Sequence, residues 1–184
     1  MSGEQASLED DIRTNPTVFG KILRNEIPST RVYEDEDVIA FKDIHPASQH
    51  HYLVIPRRRI KTVNWLVPAD RALVEKLVAV GHRVAREQCG LDEARYIGNL
   101  AKGDDPAAGG DRYSLGFHKP PLITVFHLHL HVIAPIPAKN WFYRLIFPTI
   151  TYGWLYVSPE SVLEKLGPAP APATEAEGGE SSRL

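Results

Sequence analysis

Apolar residues along the chain switch between helical and strand spacing, and the switches predict its elements. In TVFGKILRNEIPS, beginning at Thr17, Phe19, Ile22 and Leu23 fall on one helical face. Thr17 supplies the N-cap and Pro28 prevents the helix from continuing. Two short strands are predicted at 31–34 and 37–42, joined across the acidic run EDED. A loop at Asp43–Gln49 leads into a strand at 50–55, HHYLVI, closed by Pro56. The spacing of Leu73, Leu77, Val80 and Val84 predicts a long helix over 69–88, with one buried stripe and Gly90 as its stop. A strand near 94–99, a polar and Gly-rich loop or hairpin tip at 102–111, and strand-like residues at 112–117 follow. The period changes to two over 126–135, which predicts a last strand. No internal repeat is visible. Helix, strands, long helix, strands is the order of an α+β fold with an antiparallel sheet, not of alternating βαβ units.

Composition narrows this to one domain with tails. The chain has 184 residues, 43% of them hydrophobic and 24% charged, an ordinary globular balance. The final PAPAPATEAEGGESSRL, 168–184, is too poor in large apolar residues to offset chain entropy and is expected to be disordered. Residues 1–16 are expected to behave the same way, although Leu8 and Ile12 could dock, so the domain is placed at 17–167. The formal charge of -2 hides a split: the two tails are acidic, and residues 17–167 sum to +3. A single cysteine, Cys89, excludes an internal disulfide and a Cys-based zinc cluster. No apolar run approaches the roughly 20 residues of a membrane span, and the N-terminus lacks the pattern of a secretory signal. These features predict an intracellular protein, cytoplasmic with the nucleus left open.

The informative segment is FHLHLHVIAP at 126–135. On a strand, Leu128, Leu130 and Val132 share one face, and His127, His129 and His131 share the other. Three adjacent imidazoles suit a plain core poorly, because each polar nitrogen needs a partner if buried. Two chemistries compete. A pair of His at i and i+2 can share a zinc, but a further ligand must come from elsewhere. Alternatively the central His is a nucleophile oriented by its neighbours. A phosphoryl group is then the natural electrophile, since a phosphoryl-imidazole is reactive enough to be hydrolysed in a second step.

The segment His127-Leu128-His129-Leu130-His131-Val132-Ile133 resembles the signature of the histidine triad family, in which three His alternate with apolar residues. The run 19–60, FGKILRNEIPSTRVYEDEDVIAFKDIHPASQHHYLVIPRRRI, is similar to the N-terminal half of histidine triad nucleotide-binding proteins. GFHKPPLITVFHLHLHV and the later SVLEKL look most like their third type. The likeness covers about 17–166, with 101–112 reading as an insertion. It implies a five-stranded antiparallel sheet with one long and one short helix, an aromatic and helical C-terminal segment, and a homodimer. It implies hydrolysis of adenosine 5′-phosphoramidates to AMP and an amine, with no cofactor. His129 matches the nucleophile, His131 the phosphate-binding partner, and His127 and His51 the chain that orients them. Asp43 matches the acid that holds the ribose hydroxyls, with Ile44 beside it. Phe19, Ile22, Ile27 and Phe41 match the cleft around the base, and Thr124 a hydroxyl donor to the phosphate. His118 is placed to reach the phosphate or the leaving group.

Three departures matter. Pro120 and Pro121 have no N–H to offer a phosphate where the best-known branch has a Gly-rich stretch, which leaves the leaving group open. Arg59 stands where many relatives have another His. The zinc-binding Cys pair of some relatives is absent from TVFGKI, so no structural metal is expected. Larger AMP esters stay open as substrates, because Arg57, Arg58, Arg59 and Lys61 could steer a polyanion. With no added zinc finger, nucleic acid is not expected as a partner, nor is a membrane. An interaction protein also stays open, with Trp141-Phe142-Tyr143 and Trp154-Leu155-Tyr156 as its surface.

Overall fold

The computed structural model describes residues 3–97, 111–121, 123–136 and 156–168. Helix α1, Gly3–Thr14, forms where the sequence predicts a disordered tail. Composition misleads there because the helix is fastened at its end. Ile12 packs against an apolar cluster of the domain, and Arg24 Nη1 donates to the carbonyls of Ile12 (2.7 Å) and Asn15 (2.8 Å). Helix α2, Val18–Leu23, starts where Thr17 Oγ1 accepts the Gly20 amide at 3.2 Å.

Three strands follow: β1 (Arg31–Glu34), β2 (Val38–Lys42) and β3 (His50–Pro56). Helix α3 spans Arg71–Cys89 and ends at Gly90, whose φ of 69° is the left-handed conformation glycine adopts without strain. Its buried stripe is Val74, Leu77, Val80, Gly81, Val84 and Ala85, so Val74 replaces the expected Leu73 as the buried residue of the first turn. The remaining elements are β4 (Tyr96–Ile97), β5 (Tyr113–His118), β6 (Leu130–Ala134), β7 (Tyr156–Val157) and α4 (Pro159–Leu166). Ser158 caps α4 and Pro159 occupies its first turn, where a missing N–H costs nothing.

The sheet runs β1-β2-β3-β6-β5-β4, with β7 also paired to β5. The five longer strands are mutually antiparallel, as expected. Two two-residue strands enlarge the sheet to seven, and β4 runs parallel to β5, so the sheet is mixed. β4 falls within the strand expected near 94–99, whereas β7 is too short to show a period in the sequence. Four α-helices stand among the described residues: α2 and α3 are the expected short and long helices, α4 is the expected helical C-terminal segment, and α1 is additional.

Period-two alternation divides the sheet into two faces. Val38, Ala40, Tyr52, Val54, Leu130 and Val132 bury against α3. Ile39, Phe41, Leu53 and Ile55 bury against α2 with Phe19, Ile22 and Leu23. The histidines sit on this second face. The insertion expected at 101–112 falls almost wholly outside the described residues, as do Trp141-Phe142-Tyr143, Trp154-Leu155 and the C-terminal tail from 169. Among the described residues no helix is long and apolar enough to cross a membrane.

Candidate active site

The histidine segment departs from its predicted strand in an instructive way. The expected strand covers 126–135, but the ladder begins only at Leu130. In the register of the β3–β6 pair Ile55 and Pro56 would face His129 and Leu128, but Pro56 has no N–H to give a ladder. Instead Leu128 N donates to Ile60 O (2.6 Å), and the His127 ring donates from Nε2 to Pro56 O (2.7 Å). Side-chain alternation survives the loss of the ladder. Leu128, Leu130 and Val132 lie in the α3 core, while His127, His129 and His131 are buried on the opposite face.

The hydrogen bonds fix which nitrogen of each ring carries the proton. Carbonyls only accept, so the His127 proton sits on Nε2, and its Nδ1 accepts from Asn15 Nδ2 at 2.8 Å. His129 Nδ1 lies 2.7 Å from the His127 carbonyl and must donate to it, which leaves Nε2 of the neutral ring as the lone-pair nitrogen. His51 Nδ1 accepts the Ala47 amide at 3.1 Å, so its Nε2 donates to His131 Nδ1 at 2.8 Å. His131 then carries its own proton on Nε2.

Burial keeps these rings neutral. It pushes His127 down to about 4, against the pull of its bond to Pro56. Burial likewise lowers His129 and His51, with the Asp43 carboxylate opposing it at both. His131 lies well below the ordinary range, first through burial and then through the rings of His118, His129 and His51. An imidazole that is to attack phosphorus must be unprotonated, and this environment ensures it at neutral pH.

A cleft of about 760 Å³ opens onto His129, His131, His51 and His118. Its apolar end is made by Phe19, Ile22, Ile27 and Phe41, and Phe19 meets the His129 ring edge-on at 5.3 Å between centroids. Asp43 lines the same cleft. Its Oδ1 accepts the His45 amide at 2.8 Å, and its Oδ2 lies 3.5 Å from His51 Nδ1, so it is both the turn residue of its loop and a cleft carboxylate. Ile44, 81% exposed, stands at the rim, and Thr124 also lines the cleft. His118 is buried with its ring 4.4 Å from that of His131. Of the sequence-predicted residues only His127 is behind the wall, where its backbone carbonyl accepts from His129 Nδ1. Gly116 pairs with His131 across β5 and β6 and lets Tyr156 pack onto the site; a Cβ there would lie 2.1 Å from the Tyr156 ring. Two trios, His118/His129/His131 and Asp43/His51/His131, each have ligand atoms within 4.8 Å of one another, so both are donor sets a divalent cation could use.

Sequence reasoning missed Asn15. It is 1% exposed and belongs to the segment expected to be a tail. Its Oδ1 accepts from both the backbone N (3.1 Å) and Oγ1 (2.8 Å) of Thr17, while its Nδ2 holds His127. The available signal was an Asn two residues before a capping Thr, a frequent turn arrangement. Ser29, Thr30, Lys42 and His45 also line the cleft without having been singled out. Asn15→Ala would strip the buried His127 Nδ1 of its donor. The expected cost is about 1–3 kcal/mol in unfolding free energy, read from urea denaturation, with a lower turnover because His127 presents the carbonyl that holds His129.

A family profile described as "Scavenger mRNA decapping enzyme C-term binding" matches residues 16–142. The chain is 32% identical over 151 residues to the Mus musculus protein named adenosine 5′-monophosphoramidase HINT3, covering 81% of this chain and 80% of that one. It is 34% identical over 158 residues to the Arabidopsis thaliana protein named bifunctional adenosine 5′-phosphosulfate phosphorylase/adenylylsulfatase HINT4, covering 82% and 91%. Among solved structures, a HIT family hydrolase from Legionella pneumophila Philadelphia 1 superimposes with a TM-score of 0.53 at 29% identity, covering 67% of this chain and 96% of that one. The profile takes in the sheet from α2 to beyond the triad, and the relatives align over most of both chains: the chain belongs to the histidine triad family of hydrolases.

Proposed function

We propose that the protein hydrolyses adenosine 5′-phosphoramidates to AMP and an amine through a covalent adenylate on His129. The observation that carries this reading is the His129 ring itself. It is buried and neutral, its Nδ1–H is given to the His127 carbonyl, and its Nε2 lone pair belongs to a ring that lines a nucleotide-sized cleft. The base would occupy the apolar end at Phe19, Ile22, Ile27 and Phe41, and Asp43 would accept the ribose hydroxyls. His129 Nε2 attacks phosphorus, the P–N bond breaks, and the amine leaves with the bonding electron pair and takes a proton from solvent. The His127 carbonyl stabilises the positive charge that the attack places on the imidazole. His131 Nε2–H and Thr124 would bind the phosphoryl oxygens, where charge builds in the transition state. Water then displaces Nε2 from phosphorus, and AMP departs.

The activity for which the Arabidopsis relative is named keeps adenosine 5′-phosphosulfate as a second candidate substrate. The same attack would serve, with a sulfate in place of the amine as leaving group. Rapid quench with labelled adenosine 5′-phosphoramidate and with labelled adenosine 5′-phosphosulfate tests both. Label mapped to His129, faster from the phosphoramidate, is the expected result. Turnover without a labelled histidine would sink the covalent route.

A further inference from the structure

The basic run after β3 does not act as one patch. Arg57 pairs with Glu34, and its Nε donates to the Asp35 carbonyl at 2.7 Å. Arg58 pairs with Asp70. Arg59 and Lys61 have no ion-pair partner among the described residues. They line a second concavity of about 470 Å³ with Asn64, Trp65, Pro120 and Phe126. This groove and the triad cleft share no lining residue. The loop between β5 and β6 separates them: Thr124 and Val125 face the cleft, while Pro120 and Phe126 face the groove.

Three features make the groove unlike ordinary surface. Trp65 is 62% exposed and Phe126 is 52% exposed, so two large aromatic rings border one hollow. Lys61 Nζ lies 4.3 Å from the Trp65 ring centroid, a cation held beside an aromatic face. Arg59 Nε is buried with no hydrogen-bond partner among the described residues, so these leave the guanidinium incompletely satisfied. The backbone fixes the arrangement. Pro56 O is bound by the His127 ring and Ile60 O by the Leu128 amide, so the segment carrying Arg59 is clamped on both sides to the segment following Phe126.

Two cations and two exposed aromatic rings call for a ligand with negative charge and a planar group. The hollow falls within the roughly 300–1,000 Å³ typical of small-ligand sites. We propose that this groove is a second, non-catalytic nucleotide site that takes a nucleoside di- or triphosphate, its phosphates on Arg59 and Lys61 and its base on Trp65 and Phe126. One base and two phosphates exhaust the groups on offer, which favours a free nucleotide over a strand.

ADP is the probe, used with the full chain and measured by equilibrium dialysis while excess AMP fills the triad cleft. One ADP per chain is expected to bind under these conditions, more weakly at high salt. Lys61→Glu and Trp65→Ala are each expected to weaken it at least about tenfold, a change of roughly 1.4 kcal/mol in binding free energy, with phosphoramidate turnover unchanged. Hydrolysis plays no part in the readout, so the result is separable from the proposed function. The proposal is overturned if AMP displaces all the ADP or if both variants bind ADP as tightly as the parent. It is also overturned if a single-stranded oligonucleotide occupies the groove in strong preference to ADP.

Discussion

His129→Ala is expected to abolish the covalent adenylate and to reduce kcat by on the order of 10⁴- to 10⁶-fold, the range seen when a nucleophile is removed from an intact site. Besides its edge-on contacts with the Phe19 and His131 rings, the His129 ring does little to hold the cleft together. Its hydrogen bond is to the His127 carbonyl, and that carbonyl can be taken up by water entering the cleft. The substitution removes the edge-on contact with Phe19 but leaves the side chains of Ile22, Ile27, Phe41 and Asp43 in place. AMP affinity should therefore stay within a few-fold of the parent, so the loss falls on kcat and not on KM. Single-turnover quench and AMP titration, made on the same preparation, separate these quantities. Unchanged turnover in His129→Ala would mean that another group attacks phosphorus. A parallel loss of AMP binding would mean that the ring shapes the cleft and that its removal says nothing of nucleophilic attack.

The parts of this site that were legible in the sequence share one property: their signal is local. His127, His129 and His131 are spaced by the pleat of a strand, so their common face follows from period two alone. Thr17 and Gly90 each act within a few residues of themselves, as caps do. Asn15 was illegible because its partner, His127, is 112 residues away, and its own surroundings have the composition of a tail. For the same reason the end of β6 was overextended. The sequence of 126–129 alternates like a strand, but whether a ladder forms depends on the partner strand β3, where Pro56, opposite Leu128, has no N–H to offer. The second groove lies between these cases. Arg59 and Lys61 are visible in the sequence as part of a basic run, yet only tertiary structure shows that Arg57 and Arg58 are neutralised and that Phe126 faces the remaining two.

Acid sensitivity is the other large expected effect, and its sign follows from the same burial that readies the nucleophile. His51, His127, His129 and His131 are all held below their ordinary pKa in the fold, with burial as the leading cause, and half-buried His82 is shifted the same way. Between the folded and unfolded values the unfolded chain binds more protons, so stability rises with pH across that window. The contribution is complete above about 6.5 and is lost progressively as pH falls. For His127 the loss continues to about 4. At about 1.4 kcal/mol per pH unit, His127 alone amounts to roughly 3 kcal/mol over its whole window. The carboxylates do not share this range. Asp35, lowered to about 2 by hydrogen bonds that outweigh its burial, loses its contribution only as pH falls below its ordinary value of 3.8. Urea denaturation at pH 8 and at pH 5, at constant ionic strength, therefore isolates the histidines. The midpoint is expected to fall at pH 5 with an unchanged slope, since the surface exposed on unfolding is the same. An equal midpoint at the two pH values would show that the folded rings accept protons as readily as free ones. His129 could not then be counted as a neutral nucleophile across that range.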